Sequence, residues 1–169
     1  VFASLIQATS AAKPAKTEKP TKLPKPAKPV KFSRSGKRIT EIPDSIPLDV
    51  TEITISRSSI TTFGPKSFSC FTQLTKLSVY LGILNTVADD AFENAAISYL
   101  DLQSNSIERI PDLSNISATL QYVYLGGNKI AFISPSHFAG MEQLRLIALK
   151  ENQLMHVPDI QGLSLQYPI

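Results

Sequence analysis

The feature that most constrains this chain is a repeated spacing of apolar residues. An aliphatic residue at position 1 is followed by others at positions 4 and 6, a small or amide residue at position 9 and a further aliphatic residue at position 11. Five units with this spacing begin at Val50, Leu74, Ile97, Leu120 and Leu144, which are 24, 23, 23 and 24 residues apart. Each unit is too short to close a core of its own, whereas stacked neighbours bury their apolar residues together. The sequence therefore predicts a solenoid over residues 39–169, with five repeats and the start of a sixth at Leu165.

The same phase predicts the local structure of each unit. Positions 3 to 7 alternate, so they form a short strand whose even positions point into the core and whose odd positions point outward. Equivalent strands run parallel, and the bulkier segments that return to the next strand force curvature. We expect an α/β-type solenoid, with short parallel strands on a concave face and loops or short helices in the returning segments.

The pattern L-x-x-L-x-L-x-x-N-x-L resembles the extracellular leucine-rich repeat family over residues 39–169. The phrase IPDSIP at residues 42–47, and a phenylalanine eight residues after the motif, are similar to the small leucine-rich proteoglycans and to leucine-rich receptor ectodomains. These phenylalanines are Phe68, Phe92 and Phe138. The resemblance implies a non-enzymatic protein that uses its concave face for ligands.

The resemblance also implies a role for the residue at position 9, whose amide bonds the turn backbone in this family. Asn105, Asn128 and Asn152 suit this role, Ser58 suits it in part, and Gly82 does not. We therefore expect the first two units to be less regular than the others.

The ends of the solenoid depart from the family pattern. Extracellular members usually have a cysteine cluster before the first repeat, and this chain has none there, so we expect a short strand at residues 38–42 to serve as the cap. The sequence stops inside the sixth unit, and we expect a fragment of a longer protein. The single cysteine, Cys70, lies among phenylalanines and is expected to be a small core residue.

The segment before the repeats is strongly basic. Residues 13–38 contain ten of the seventeen Lys and Arg residues and one of the fourteen acidic residues, so the rest of the chain is acidic. Its prolines favour an extended polyproline conformation with three residues per turn, which aligns lysines spaced by three. We expect a disordered tail that is either a soluble spacer or a contact for a sulfated glycan or an acidic matrix polymer. Seven lysines would make that contact: Lys13, Lys16, Lys19, Lys22, Lys25, Lys28 and Lys31.

Several features bear on where the protein resides. Residues 1–12 resemble the end of a secretory signal peptide, although an ordinary chain terminus has the same composition. No apolar run reaches the length of a membrane helix. Asn115 begins the triplet Asn-Ile-Ser and is a candidate for glycosylation. We expect a secreted, extracellular protein, and no nucleic acid partner because no aromatic residue separates the lysines of the tail.

The sharpest functional signal is the position of the tyrosines. All five lie at outward positions of the predicted strands, where a flat apolar ring with a hydroxyl group suits an interface. Tyrosine also suits any exposed strand, which is the simpler explanation. We expect a protein ligand to bind the concave face at Tyr80, Tyr99, Asp101, Gln103, Tyr122, Tyr124, Lys150 and Tyr167.

Catalysis finds no support in the sequence. His137 and His156 belong to different units and lack partners at the spacing of a metal site or a catalytic triad. We therefore expect no cofactor, no metal and no enzyme. Two alternatives to a protein-binding module remain: a structural matrix component held by electrostatic association, and part of an innate-immune or cell-surface receptor ectodomain.

Overall fold

The protein is described here from a computed structural model that covers residues 28–155. Six strands form one parallel sheet, and two further short strands pair separately. In the order in which they lie in the sheet, the six strands are β1 Lys31–Ser35, β2 Glu52–Ser56, β4 Lys76–Tyr80, β6 Tyr99–Asp101, β7 Tyr122–Tyr124 and β8 Leu146–Ala148. The short pair is β3 Thr62–Phe63 with β5 Thr86–Val87.

The repeat phase read from the sequence is the register of the sheet. Position 3 of each unit pairs with position 3 of the next, from Glu52 to Lys76, Tyr99, Tyr122 and Leu146. The returning segments are mostly turns, with two short 3-10 helices at Ser114–Ile116 and Pro135–Phe138 and no α-helix in residues 28–155. The predicted parallel-strand solenoid is confirmed, and its helical part consists of these two single turns.

The core is a stack of equivalent side chains. The residue at position 4 is almost fully buried in every unit, and these residues are Ile53, Leu77, Leu100, Val123 and Ile147. On the returning side the core contains aromatic rings: Phe68 packs edge-on against Phe63 at 5.0 Å and stacks on Phe92 at 5.8 Å between ring centroids. Both sides of each unit are thus anchored on its neighbours, as stacking of incomplete units requires.

A ladder of asparagines joins consecutive units at position 9. Asn128 accepts a hydrogen bond from the backbone N–H of Ile107 at 3.0 Å and donates to the carbonyls of Leu102 and Leu125, both at 2.9 Å. Asn105 and Asn152 make equivalent bonds one unit earlier and one unit later. Because backbone groups buried in a turn must be paired, each amide satisfies both its own unit and the preceding one.

The expectation of irregular first units was wrong. β2 and β4 are five residues long, whereas β6, β7 and β8 have three each. Unit two needs no amide of its own, because Asn105 reaches back to the backbone of Leu84 and Val79. A side chain at Gly82 would begin 2.9 Å from the Asn105 oxygen, so the glycine leaves room for that amide.

The first end of the solenoid is closed earlier in the chain than expected. β1 at Lys31–Ser35 pairs with β2, whereas residues 38–42, where we expected the cap strand, contain no strand. Phe32 is buried against the core, and the Arg34 guanidinium lies 5.2 Å from the centre of its ring. Residues 31–35 therefore belong to the sheet. We had expected all of residues 13–38 to be disordered, and for residues 31–35 this was wrong.

The expected burial of the cysteine was also wrong. Cys70 is exposed on the returning side, while its neighbours Phe68 and Phe71 turn into the core.

Candidate binding surface on the concave face

The parallel register brings three tyrosines and one aspartate together on the concave face, by which we mean the solvent-facing side of the six-stranded sheet. Tyr99 and Asp101 occupy positions 3 and 5 of β6, and Tyr122 and Tyr124 occupy the same positions of β7. Residues two apart on a strand share a face, and paired residues lie side by side. The four side chains therefore form a two-by-two arrangement, and its three rings are called here the tyrosine cluster.

The Tyr99 ring contacts the other two rings of the cluster. The Tyr99 centroid lies 5.2 Å from that of Tyr124 and 6.2 Å from that of Tyr122, with interplanar angles of 38° and 41°. Such tilted pairs are favourable arrangements for aromatic rings. All three tyrosines remain partly exposed, so the cluster presents aromatic surface to solvent.

A cation already uses this aromatic surface. The Lys76 ammonium on β4 lies 4.4 Å from the centre of the Tyr99 ring, within the range of a cation–π contact. Lys76 was among the outward positions of the repeat, but nothing in its sequence neighbourhood indicated this contact. The signal that could have found it is the register itself, which pairs Lys76 with Tyr99.

Asp101 is the acidic residue of the face that lies beside the tyrosine cluster. One of its carboxylate oxygens accepts hydrogen bonds from the backbone N–H and the side-chain amide of Gln103, at 3.1 and 3.2 Å. The pKa of Tyr99 is raised to about 12, mainly because the phenol is partly buried and to a smaller extent because the Asp101 carboxylate and Tyr124 lie beside it. Within residues 28–155 Asp101 makes no ion pair, so its charge is neutralised by no protein cation there.

The face changes character toward the first end of the solenoid. Lys31 and Glu52 form an ion pair at 2.9 Å, and Ser56 donates to Ser35 at 3.0 Å. This half is polar and internally paired. On the other side of the cluster, β8 contributes only the aliphatic Leu146 and Ala148.

The remaining candidate residues are less closely grouped. Tyr80 is at position 7 of β4 and, within residues 28–155, makes no ring contact with the cluster. Lys150 is exposed after β8. Lys28 is exposed, and Lys31 is taken up by its ion pair with Glu52. Tyr167 and the lysines from Lys13 to Lys25 lie outside the described residues.

The returning side carries its own features. Asn115 is exposed in a 3-10 turn, and its side-chain nitrogen donates to the Asp89 carbonyl at 3.0 Å. A cleft of about 550 Å³ lies among the returning segments and is lined by Glu108, Arg109 and His137 together with other polar and apolar residues. This cleft was not predicted from the sequence, because its walls come from loops of several units.

Two further observations concern residues 28–155 alone. No three histidine, cysteine or acidic side chains in this region are placed to hold a metal ion. In the same region no helix has the length and apolar character needed to cross a bilayer.

Comparison with known proteins finds one repeat family and several individual proteins that are similar to this chain. The sequence profile of the family described as "Leucine rich repeat" matches residues 118–167. Residues 118–167 are thus similar to the leucine-rich repeat family, and the described residues have the parallel-strand solenoid of that fold. It is 26% identical over 136 residues to Podocan-like protein 1 of Mus musculus, covering 78% of this chain and 24% of that protein. It is 29% identical over 121 residues to Lumican of Homo sapiens, covering 69% and 34%.

These relatives are small leucine-rich proteoglycans of the extracellular matrix, and the chain spans a quarter to a third of their length. A shorter match, 37% identical over 62 residues, is to Leucine-rich repeat-containing G-protein coupled receptor 5 of Homo sapiens; it covers 36% of this chain and 7% of the receptor.

Proposed function

We propose that this leucine-rich repeat protein is secreted into the extracellular matrix and binds a protein ligand on its concave face, without catalysis. The observation that carries the proposal is the tyrosine cluster. Tyr99 contacts both Tyr122 and Tyr124 on the exposed side of the sheet, and none of the three fills the core. Rings held by their neighbours lose little freedom on binding, which makes them good interface anchors.

The surroundings of the cluster favour a discrete ligand. Leu146 and Ala148 extend the apolar area on one side, and the polar groups toward β1 bond to each other on the other side. An apolar centre with a polar rim is the usual anatomy of a protein interface. The backbone beneath is fixed by the parallel register, so binding requires little rearrangement of the sheet.

The test is capture of matrix proteins by the immobilised chain and by the double variant Tyr122→Ala with Tyr124→Ala. Because both residues alternate with the buried Val123 on β7, the double variant should keep the circular dichroism spectrum. Loss of two anchors should weaken capture of the main bound protein by about tenfold or more. The exposed Phe132 lies off this face, and Phe132→Ala serves as the control. Equal capture by the double variant would reject the cluster as the binding surface.

The basic tail supports a second, electrostatic role. We propose that Lys13, Lys16, Lys19, Lys22, Lys25, Lys28 and Lys31 contact a sulfated glycan or an acidic matrix polymer, with Lys31 shared with Glu52. The deletion should remove residues 13–27 only, because the Val30 carbonyl accepts hydrogen bonds from the backbone of Thr51 and Glu52. If all capture disappears with this deletion or at high salt, the protein is a structural matrix component held by charge. Capture that survives both treatments supports the concave face.

Two points of processing belong to the same proposal. Secretion would expose Asn115 to glycosylation, and its place on the returning side keeps a glycan away from the tyrosine cluster. Expression in a secreting cell, followed by enzymatic removal of N-glycans, should lower the mass of the native chain but not that of Asn115→Gln. The match to a receptor's repeats favours a cell-surface ectodomain as the alternative, which the full-length transcript decides.

A further inference from the structure

We propose that the tyrosine cluster and Asp101 together form a receptor for an arginine side chain of the protein ligand. This inference rests on the proposed function and names the chemistry of the partner at that site. It is carried by the placement of one carboxylate among three rings on an exposed sheet face.

The carboxylate of Asp101 favours a cation, although the same face also carries Lys76 and Lys150. Two acidic residues, Glu52 and Asp101, lie on the strands of the concave face within the described part of the chain; Glu52 is paired with Lys31, whereas Asp101 bonds only to the neutral groups of Gln103. A carboxylate beside aromatic rings loses part of its hydration when a ligand covers the face. A cation that replaces this hydration makes a charge-assisted contact, whereas a neutral group leaves the carboxylate poorly compensated.

The rings themselves accept cations. The Lys76 ammonium over Tyr99 is an internal example of the contact, at 4.4 Å from the ring centre. Lys76 approaches from β4, so Tyr122 and Tyr124 on the far side of Tyr99 keep their exposed surface for a second cation. The second cation would lie beside Asp101, which is paired directly with Tyr124 in the register.

The geometry favours a guanidinium over an ammonium. The Tyr99 ring is tilted by 41° to Tyr122 and by 38° to Tyr124, and the three partly exposed rings form one aromatic surface. A planar guanidinium can stack on such a surface and still direct two N–H groups in its plane toward a carboxylate. An ammonium is a compact and strongly hydrated charge that loses more hydration for each contact. On the β8 side only the short Ala148 flanks Tyr124, which leaves room for a side chain to enter.

The direct test uses capped peptides in titrations followed by the NMR signals of the tyrosine rings. The probes are Gly-Arg-Gly, Gly-Lys-Gly and the same peptide with citrulline, the neutral analogue of arginine. The arginine peptide should shift the ring signals of Tyr122 and Tyr124 in a saturable way, and more tightly than either of the others. Equal dissociation constants for the arginine and citrulline peptides would overturn the proposal, as would equal constants for arginine and lysine.

The variants separate the charge from the rings. Asp101→Asn keeps the shape of the side chain and should weaken arginine binding about tenfold, the worth of one charge-assisted contact. Glu142→Gln removes the same charge from an exposed position on a returning segment and controls for the general field. Tyr124→Leu, which removes the ring and leaves Asp101 in place, should lose binding. An equal effect of Asp101→Asn and Glu142→Gln would contradict a local site.

The outcome is distinguishable from failure of the proposed function. If matrix capture is lost with Tyr122→Ala and Tyr124→Ala but unchanged by Asp101→Asn, the concave face binds a ligand and the arginine receptor is wrong. Both proposals are supported if Asp101→Asn reduces capture and an arginine-rich peptide competes with the captured ligand whereas a lysine-rich peptide does not.

Discussion

Replacing Asn128 with alanine should lower the free energy of unfolding strongly, although the change removes no apolar side chain from the core. The residue is 6% exposed, and its amide bonds three buried backbone groups at once. Asn128→Ala leaves the Ile107 N–H without an acceptor, which costs about 1–3 kcal/mol for a buried donor.

The two carbonyls are less affected by the change. Leu102 keeps a hydrogen bond from Asn105, and Leu125 keeps one from Asn152. Each therefore loses one of two donors, a net loss of about 0.5–1.5 kcal/mol apiece at most. The sum predicts a decrease of about 2–6 kcal/mol in the free energy of unfolding, which is a large part of the stability of a small domain.

The assay is urea unfolding followed by circular dichroism, with the exposed Gln153→Ala as the control. The control should lie within about 0.5 kcal/mol of the wild type, as surface substitutions usually do. A value for Asn128→Ala inside the same margin would refute the ladder as a source of stability.

Three further predictions concern other parts of the fold. Gly82→Asn, which brings unit two closer to the family pattern, should lower the urea midpoint, because its Cβ would lie 2.9 Å from the Asn105 amide oxygen and 3.2 Å from a backbone carbonyl; an unchanged or higher midpoint would contradict the crowding. In an alkaline titration of phenolate absorbance, one tyrosine should ionise near pH 12. This ionisation should be absent in Tyr99→Phe, and Asp101→Asn should lower the pKa of Tyr99. Since the raised pKa favours the neutral phenol in the folded state, this contribution to stability is complete below pH 10 and is lost as the pH rises toward 12. Phe32→Ala should lower the free energy of unfolding by about 3 kcal/mol, because the ring closes the first end of the core; a loss under about 1 kcal/mol would assign the cap elsewhere.

The regular part of the fold was predictable because the spacing of apolar residues within each repeat determines its strands and their pairing. Once Leu77, Leu100 and Val123 are assigned to the same position, strand direction, register and the side of each neighbour follow from alternation. The tyrosine cluster was predictable for the same reason, since it needs only odd positions on two adjacent strands.

The rest depended on contacts that no repeat encodes. β1 was missed because Phe32 is its single buried residue and Arg34 occupies the other inward position, so the strand lacks apolar alternation. Cys70 was misplaced because a turn between two buried phenylalanines rotates it outward. Asn105 of unit three hydrogen-bonds the backbone of unit two, and this contact between repeats cannot be seen in the sequence of either unit alone.

Oxidative footprinting of the tyrosines tests most directly whether the concave face is the recognition surface. Brief exposure to hydroxyl radicals, followed by mass spectrometry, measures the modification of Tyr99, Tyr122 and Tyr124 in the free chain and in the captured complex. We expect all three to be modified when free, and protected in the complex while the exposed Phe132 is modified equally in both. Unchanged modification of the three tyrosines in the complex would contradict the account.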